Sequence, residues 1–382
     1  MKMTLRWFGS EVDTIPLKYI RQIPGVAGVV TTLYDIPAGE VWSKERIRAM
    51  KAEVEKHGLE VSGIESVNIH DAIKAGLPER DHYIENYIQT LRHLGEEGIR
   101  LVCYNFMPVF DWTRSDLAKP REDGSTVLSY DQEIISKINP DDMFDRMDSN
   151  ANGFVLPGWE PERMAKIRSL FELYKDVNND KLLENMKYFL TAIMPTCEEY
   201  GIKMAIHPDD PAWPVFGLPR VVTNLNNLQK IIGMVDSPYN GITLCTGSLG
   251  SNPDNDLPAI IRALGDRIHF AHVRNVRHLG KGKFDEAAHL SSDGSLDMYE
   301  IMKAFHDIGF DGIMRPDHGR AIWDEKSMPG YGLYDRALGV AYLSGLWEAI
   351  RKQSAAPVTY GNECYGINLP GILMYSKPKS TI

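Results

Sequence analysis

The feature that most constrains this chain is a rhythm: short apolar, β-rich runs alternate with amphipathic stretches of helical length along most of it. Strand followed by helix, repeated, builds a parallel sheet covered by helices, because two parallel strands need a crossover long enough to hold a helix. Eight runs meet the strand pattern, at 5–9, 26–33, 60–66, 100–106, 203–207, 241–246, 269–274 and 312–317. Most precede a helical pattern, so a closed (β/α)8 TIM barrel fits the α/β alternation better than an open sheet. The chain has 382 residues, a length that one barrel with insertions fills, so 1–382 reads as a single domain.

Local punctuation supports the helices. Ser43 stands where a helix over the following residues needs its cap, and Gly58 ends that helix. Similar stretches cover 181–200 before Gly201, 296–308 before Gly309, and 334–352 as a closing helix. No fixed-period repeat accompanies the alternation. Residues 108–180, with the Asp/Asn-rich DDMFDRMDSNANG, are too long for a simple βα loop and read as a helical or irregular insertion after strand 4. A second long loop, 278–295, follows strand 7. Both are expected at the C-terminal face of the barrel, where such folds carry their sites.

A net charge of −10 with no Lys/Arg block lacks the basic footprint of a nucleic-acid binder. An anionic small substrate stays compatible with that charge if a metal or local arginines reverse the field in a pocket. Cys103, Cys197, Cys245 and Cys364 are widely spaced with no CxxC pair, as expected in a reducing, cytoplasmic location. The N-terminus lacks a signal-peptide core and no apolar run reaches the ~18 residues of a membrane span, so no membrane partner is expected. A homo-oligomer is admitted by the sequence without being specified by it.

Four late strands share one design, in which an apolar run ends in a potential metal ligand: MAIHPDD, ITLCTGS, IHFAHVRN and GIMRPDHGR. They place His207, Cys245, His272 and Asp317 at strand C-termini. In a barrel those ends converge on one opening, so ligands far apart in sequence meet in space and leave coordination open for a substrate. Any one of them alone reads more simply as a core residue; four at equivalent ends favour a metal. Thiolate, two imidazoles and a carboxylate suggest zinc or ferrous iron before manganese, and argue against the all-oxygen shells of magnesium and calcium.

RWFG at 6–9, AIHPDDP, LCTGSLG, HVRN, RPDHGR and PGYGLYDRA at 329–337 together resemble the mannonate dehydratase family nearly end to end. The resemblance implies a xylose-isomerase-like barrel, Mn2+ (Fe2+ as the alternative) as cofactor, and dehydration of D-mannonate to 2-dehydro-3-deoxy-D-gluconate in hexuronate breakdown. It maps the family's metal ligands onto His207, Cys245, His272 and Asp317, and its proton-handling positions onto His318 and Tyr331.

The chemistry is consistent with those roles. A C2 hydrogen beside an ionised carboxylate is barely acidic, and hydroxide is a poor leaving group, so the reaction needs a Lewis acid, a base and an acid. His318 instead orienting Asp317, and Tyr334 replacing Tyr331 one helical turn away, are the simpler alternatives. Trp7 on strand 1, His70 after strand 3 and Asn105 on strand 4 are expected to position a substrate. Arg274 and Arg315 flank ligands, either to pair with the substrate carboxylate or to brace an aspartate. Two other functions compete: a metal-dependent sugar isomerase or epimerase on the same barrel, and a sugar-acid-binding protein without catalysis.

Overall fold

The computed structural model describes residues 1–138 and 166–354. Residues 139–165, with the whole Asp/Asn-rich run, and Cys364 lie outside them. The described strands are β1 (Lys2–Arg6), β2 (Val26–Thr31), β3 (Glu60–Glu65), β4 (Leu101–Tyr104), β5 (Asp116–Pro120), β6 (Thr126–Asp131), β7 (Lys203–Ile206), β8 (Asn240–Cys245), β9 (Ile268–His272), β10 (Val276–Gly280), β11 (Lys283–Glu286) and β12 (Ile313–Arg315).

Eight of them close a barrel in the order β1-β12-β9-β8-β7-β4-β3-β2, with every pairing parallel. These are the eight strands read from the sequence, shifted by a few residues at most. β8 and β9 are buried along their whole length, as strands must be when helices cover one face and side chains fill the other.

Capping fixes the helix starts. Ser43 accepts a hydrogen bond from the backbone N–H of Arg46 and opens the helix Lys44–Glu55. Asp297 accepts from the N–H groups of Tyr299 and Glu300, so that helix runs Met298–Asp307 and begins two residues later than its apolar pattern suggests. The closing helix, Leu333–Ser354, is held at its start by the distant Glu325, which accepts from the N–H groups of Leu333 and Tyr334. Gly201, left-handed at φ 65°, ends the helix Asn179–Tyr200 where a side chain would be strained.

The two long excursions meet each other. β5–β6, from the segment read as helical or irregular, and β10–β11, from the loop after β9, form one antiparallel sheet in the order β10-β11-β6-β5. Lys283, Phe284 and Asp285 stand opposite Asp131, Tyr130 and Ser129. Phe284 stacks on Tyr130, ring centroids 5.5 Å apart. The hairpin was hidden because its partner strand lies some 150 residues further along the chain, out of reach of any local pattern.

Candidate active site at the barrel mouth

Strand register assembles the mouth. Cys245 and Arg315 stand level with His272 on either side of β9. Asp317 follows Arg315 by two residues, and His207 follows Ala205 by two, so both continue an inward-facing row. One donor atom from each of His207, Cys245, His272 and Asp317 lies within 4.8 Å of the others.

The imidazoles are oriented for lone-pair donation. Nδ1 of His207 is 2.7 Å from the carbonyl oxygen of Pro208 and is therefore the protonated nitrogen, which leaves Nε2 as an acceptor. Nε2 of His272 lies 3.4 Å from Glu65 Oε2 and makes no hydrogen bond. Its Nδ1 faces Nε2 of His207 at 3.2 Å. Two ring nitrogens so placed need a proton or a cation between them, and orientation of an imidazole by a carbonyl, as at His207, is a usual support of a metal ligand. Cys245 Sγ accepts from the backbone N–H and hydroxyl of Ser248 at 3.4 and 3.0 Å. This mixed N/S/O donor set fits a first-row transition ion.

Asp317 completes the set. Burial would raise its carboxyl, but Arg315, at 2.7 Å from Oδ1, and then His318, His272 and Arg274 hold it well below the ordinary carboxylate range. It stands ready as an anionic ligand.

Beside this cluster His318 and Tyr331 are joined: Nε2 of the imidazole is 3.0 Å from the phenol oxygen. The opposite nitrogen, Nδ1, is 3.2 Å from Glu286 Oε1. Burial pushes the Glu286 carboxyl up, but Arg274 and Arg114 outweigh it and bring it to about 2. An ionised Glu286 requires a proton on Nδ1, so Nε2 accepts from the Tyr331 hydroxyl. Burial, followed by the charge of Asp317, raises the phenol and keeps it protonated. Tyr334, the alternative, is 43% exposed and packs on Trp323 at the surface.

A cavity of ≈ 700 Å³ including its open mouth links the two groups, lined on one side by His207, Asp317, His318 and Tyr331. Of the residues expected to position a substrate, Asn105 and Arg315 reach it. Trp7 does not: it is buried in the core, and its neighbours Arg6 and Phe8 face the cavity because side chains alternate along the chain there. His70 lies outside as well, capping the helix Asp71–Ala75 and stacked on Tyr83.

Arg274 also misses the cavity, and its donors are spent. Nε serves Asp317, Nη1 serves both oxygens of Glu286, and Nη2 serves Asp210 and Ser248. Five N–H groups are matched within the protein, which leaves none for a substrate. Arg315 divides itself between Glu65 and Asp317.

Sequence reasoning missed Arg6, Glu65, Asp210, Glu286 and Arg114. Arg6 and Glu65 end β1 and β3, so the strand-end rule applied to the late strands would have found them. Asp210 stood in the quoted HPDD run. Arg114 and Glu286 gave no signal, since each sits in an excursion whose position only the fold reveals. Among the described residues, no helix is long and apolar enough to cross a membrane.

The family model described as D-mannonate dehydratase (UxuA) matches residues 1–356. A mannonate dehydratase from Brachyspira hyodysenteriae is 70% identical over 352 residues, 92% of this chain and 99% of that protein. In structure the chain is similar to mannonate dehydratase from Streptococcus suis serotype 2, with TM-score 0.84, 42% identity, and 97% and 99% of the two chains covered. A xylose isomerase domain protein from Planctomyces limnophilus, 13% identical with TM-score 0.55 over 92% and 99% of the chains, shares the fold.

Proposed function

The chain belongs to the D-mannonate dehydratase family, and from that premise we propose how its mouth removes water from D-mannonate. The enzyme is a hydro-lyase whose substrate is a small sugar acid and whose product is 2-dehydro-3-deoxy-D-gluconate; the family is metal-dependent. Neither the isomerase or epimerase alternative nor a non-catalytic binder is favoured beside relatives that carry the dehydratase name.

In our reading His207, Cys245, His272 and Asp317 hold one divalent ion, Mn2+ with Fe2+ as the alternative. When bound, such an ion supplies Lewis acidity that makes the C2 hydrogen of a carboxylate-bearing substrate removable. The observation supporting this reading is the convergence of four donors, with two imidazole nitrogens facing each other at 3.2 Å.

Proton transfer falls to His318 and Tyr331. We assign the C2 proton to His318 Nε2, and the proton that departs with the C3 hydroxyl to Tyr331. The C2–H pair becomes the C2=C3 bond, the C3–O bond breaks, and water leaves with the phenolic proton. An imidazolium then faces a phenolate across 3.0 Å, and return of one proton resets both. The enol product becomes the 2-keto acid by protonation at C3. Glu286 holds the imidazole tautomer that this sequence needs.

We further propose that 108–180 is an excursion of one barrel domain toward the mouth; Arg114, paired with Asp210 and Glu286 at 2.8 and 2.6 Å, supports it. Free Cys103, Cys197 and Cys245 support a reducing, cytoplasmic location.

The test is to strip the protein of metal, reload it with Mn2+, Fe2+, Zn2+ or Mg2+, and follow 2-keto-3-deoxy acid formation from D-mannonate. Activity restored by Mn2+ or Fe2+ is the expected result. Full activity without metal would overturn the reading.

A further inference from the structure

Arg6 is 4% exposed at the end of β1 and lines the cavity. Its Nη2 donates to the Tyr34 hydroxyl at 2.9 Å, its guanidinium lies 4.8 Å from the centre of the Phe8 ring, and its carbonyl oxygen accepts from Arg336. Nη1 is buried without a hydrogen-bond partner; Glu65 Oε2, its nearest opposite charge, is 4.0 Å away. A rigidly held, desolvated donor left unmatched in a cavity wall is a costly arrangement unless a ligand completes it.

Which ligand atom completes it follows from position. Glu65 separates Arg6 from the metal cluster, with Oε2 at 3.4 Å from His272 on one side and 4.0 Å from Arg6 on the other. The carboxylate end of the substrate belongs to the cluster, and C2 and C3 belong to His318 and Tyr331. From Tyr331 the wall continues through Phe8, edge to face at 4.8 Å, to Arg6 and Tyr34. Glu65, hydrogen-bonded to Arg315 at 3.0 and 3.2 Å, stands beside Arg6 without filling its Nη1, and the part of an aldonate beyond C3 offers only hydroxyl acceptors.

We propose that Arg6 positions the hydroxylated far end of the aldonate, C5 and C6, and so makes the site select a six-carbon chain over a shorter one. The inference rests on the dehydratase reading above. Its failure can be told apart from a failure of that reading, because the parent enzyme is assayed in the same series.

The experiment compares the metal-loaded parent with Arg6→Met, Arg6→Lys and Tyr34→Phe on two substrates. One is D-mannonate; the other is a four-carbon 2,3,4-trihydroxy acid of matching C2 and C3 configuration, which lacks C5 and C6. If the parent does not turn the short acid over, its inhibition constant against D-mannonate takes the place of kcat/KM. Arg6→Met is expected to lower kcat/KM for D-mannonate about 10- to 100-fold, mainly through KM, as loss of a hydrogen bond from a charged donor does. The short acid should change less than about threefold, a lost bond it never made. Arg6→Lys should fall between, and Tyr34→Phe should show the same selectivity change in smaller degree. Bound metal and thermal midpoint, measured on each variant, identify misfolding, and Arg6→Lys decides the matter if Arg6→Met fails to fold. Equal losses on both acids in folded, metal-loaded variants would overturn the inference. No activity of the parent on D-mannonate would instead overturn the dehydratase reading.

Discussion

Two layers of the barrel interior, one residue pair apart on the same strands, have opposite chemistry. The lower holds Val30, Leu101, Cys103, Ala205 and Phe270, with Ile313 packed against them. Two residues further along the same inward faces stand His207 above Ala205, His272 above Phe270 and Arg315 above Ile313, with Asp317 two residues beyond Arg315. The Phe270 and His272 rings touch edge to face at 4.4 Å. The apolar layer fills volume and closes the barrel. The polar layer is a lattice of buried charges in which Arg114, Arg274 and Arg315 alternate with Asp210, Glu286, Asp317 and Glu65. Buried ion pairs of this kind are weak sources of stability, since desolvation offsets much of their attraction. The upper layer exists for orientation, the lower for stability.

The difference is sharpest at the ligands. Cys245→Ser should cost metal retention and with it activity, by more than the ~10- to 100-fold that removal of an outer partner causes. Bound metal by mass spectrometry checks this, and parental retention would make Cys245 a core cysteine like Cys103 below it. Next in size, His318→Asn and Tyr331→Phe should each lower kcat about 10²- to 10⁴-fold with metal bound. Exchange of the C2 proton with solvent assigns the roles: Tyr331→Phe can still exchange it without expelling water, whereas His318→Asn can do neither.

Stability should divide the layers too. Arg114→Met takes away one of the two guanidiniums, the other being Arg274, that Asp210 and Glu286 share, and breaking a buried pair in this way costs up to about 3–5 kcal/mol, measurable by urea unfolding. The acid response follows from the same charges. Glu286 is depressed in the fold to about 2, so its stabilisation is present above its ordinary value near 4.5 and is lost as pH falls from there toward 2. His269, lowered by burial to about 4, stays neutral in the fold while the unfolded chain takes up a proton. Its contribution is complete above pH 6.5 and is lost between 6.5 and 4. Unfolding free energies across pH 7 to 3 should therefore fall in two windows, and His269→Gln should shrink only the upper one, where buried His289, also lowered by burial, acts as well. The smallest effect belongs to the lower layer: Leu101→Met, similar in volume, should cost less than about 1.5 kcal/mol and leave turnover unchanged.

The sequence revealed the lower layer and half of the upper. Strands buried on both faces announce themselves as apolar runs, and a histidine, cysteine or aspartate ending such a run stands out against it. What stayed hidden depends on long-range pairing. Glu286 sits 32 residues before the His318 it orients, and Arg114 comes from a hairpin whose partner strand is in another excursion. Trp7 was read as the substrate-facing residue of strand 1, and only the side-chain alternation of a placed strand tells that Arg6 and Phe8 face the cavity in its place. Arg274 was open in a different way: charge beside a candidate ligand fits a brace or a substrate contact, and its five engaged donors favour the brace.

The central claim is that four converging donors and a joined His–Tyr pair act as one dehydrating site. Titrating metal-depleted protein with Mn2+ while following 2-keto-3-deoxy acid release from D-mannonate tests it most directly. Activity should rise linearly to a plateau at one ion per chain and remain absent in Cys245→Ser at the same ion concentration. Full turnover before any ion is added, or the same titration curve in Cys245→Ser, would contradict it.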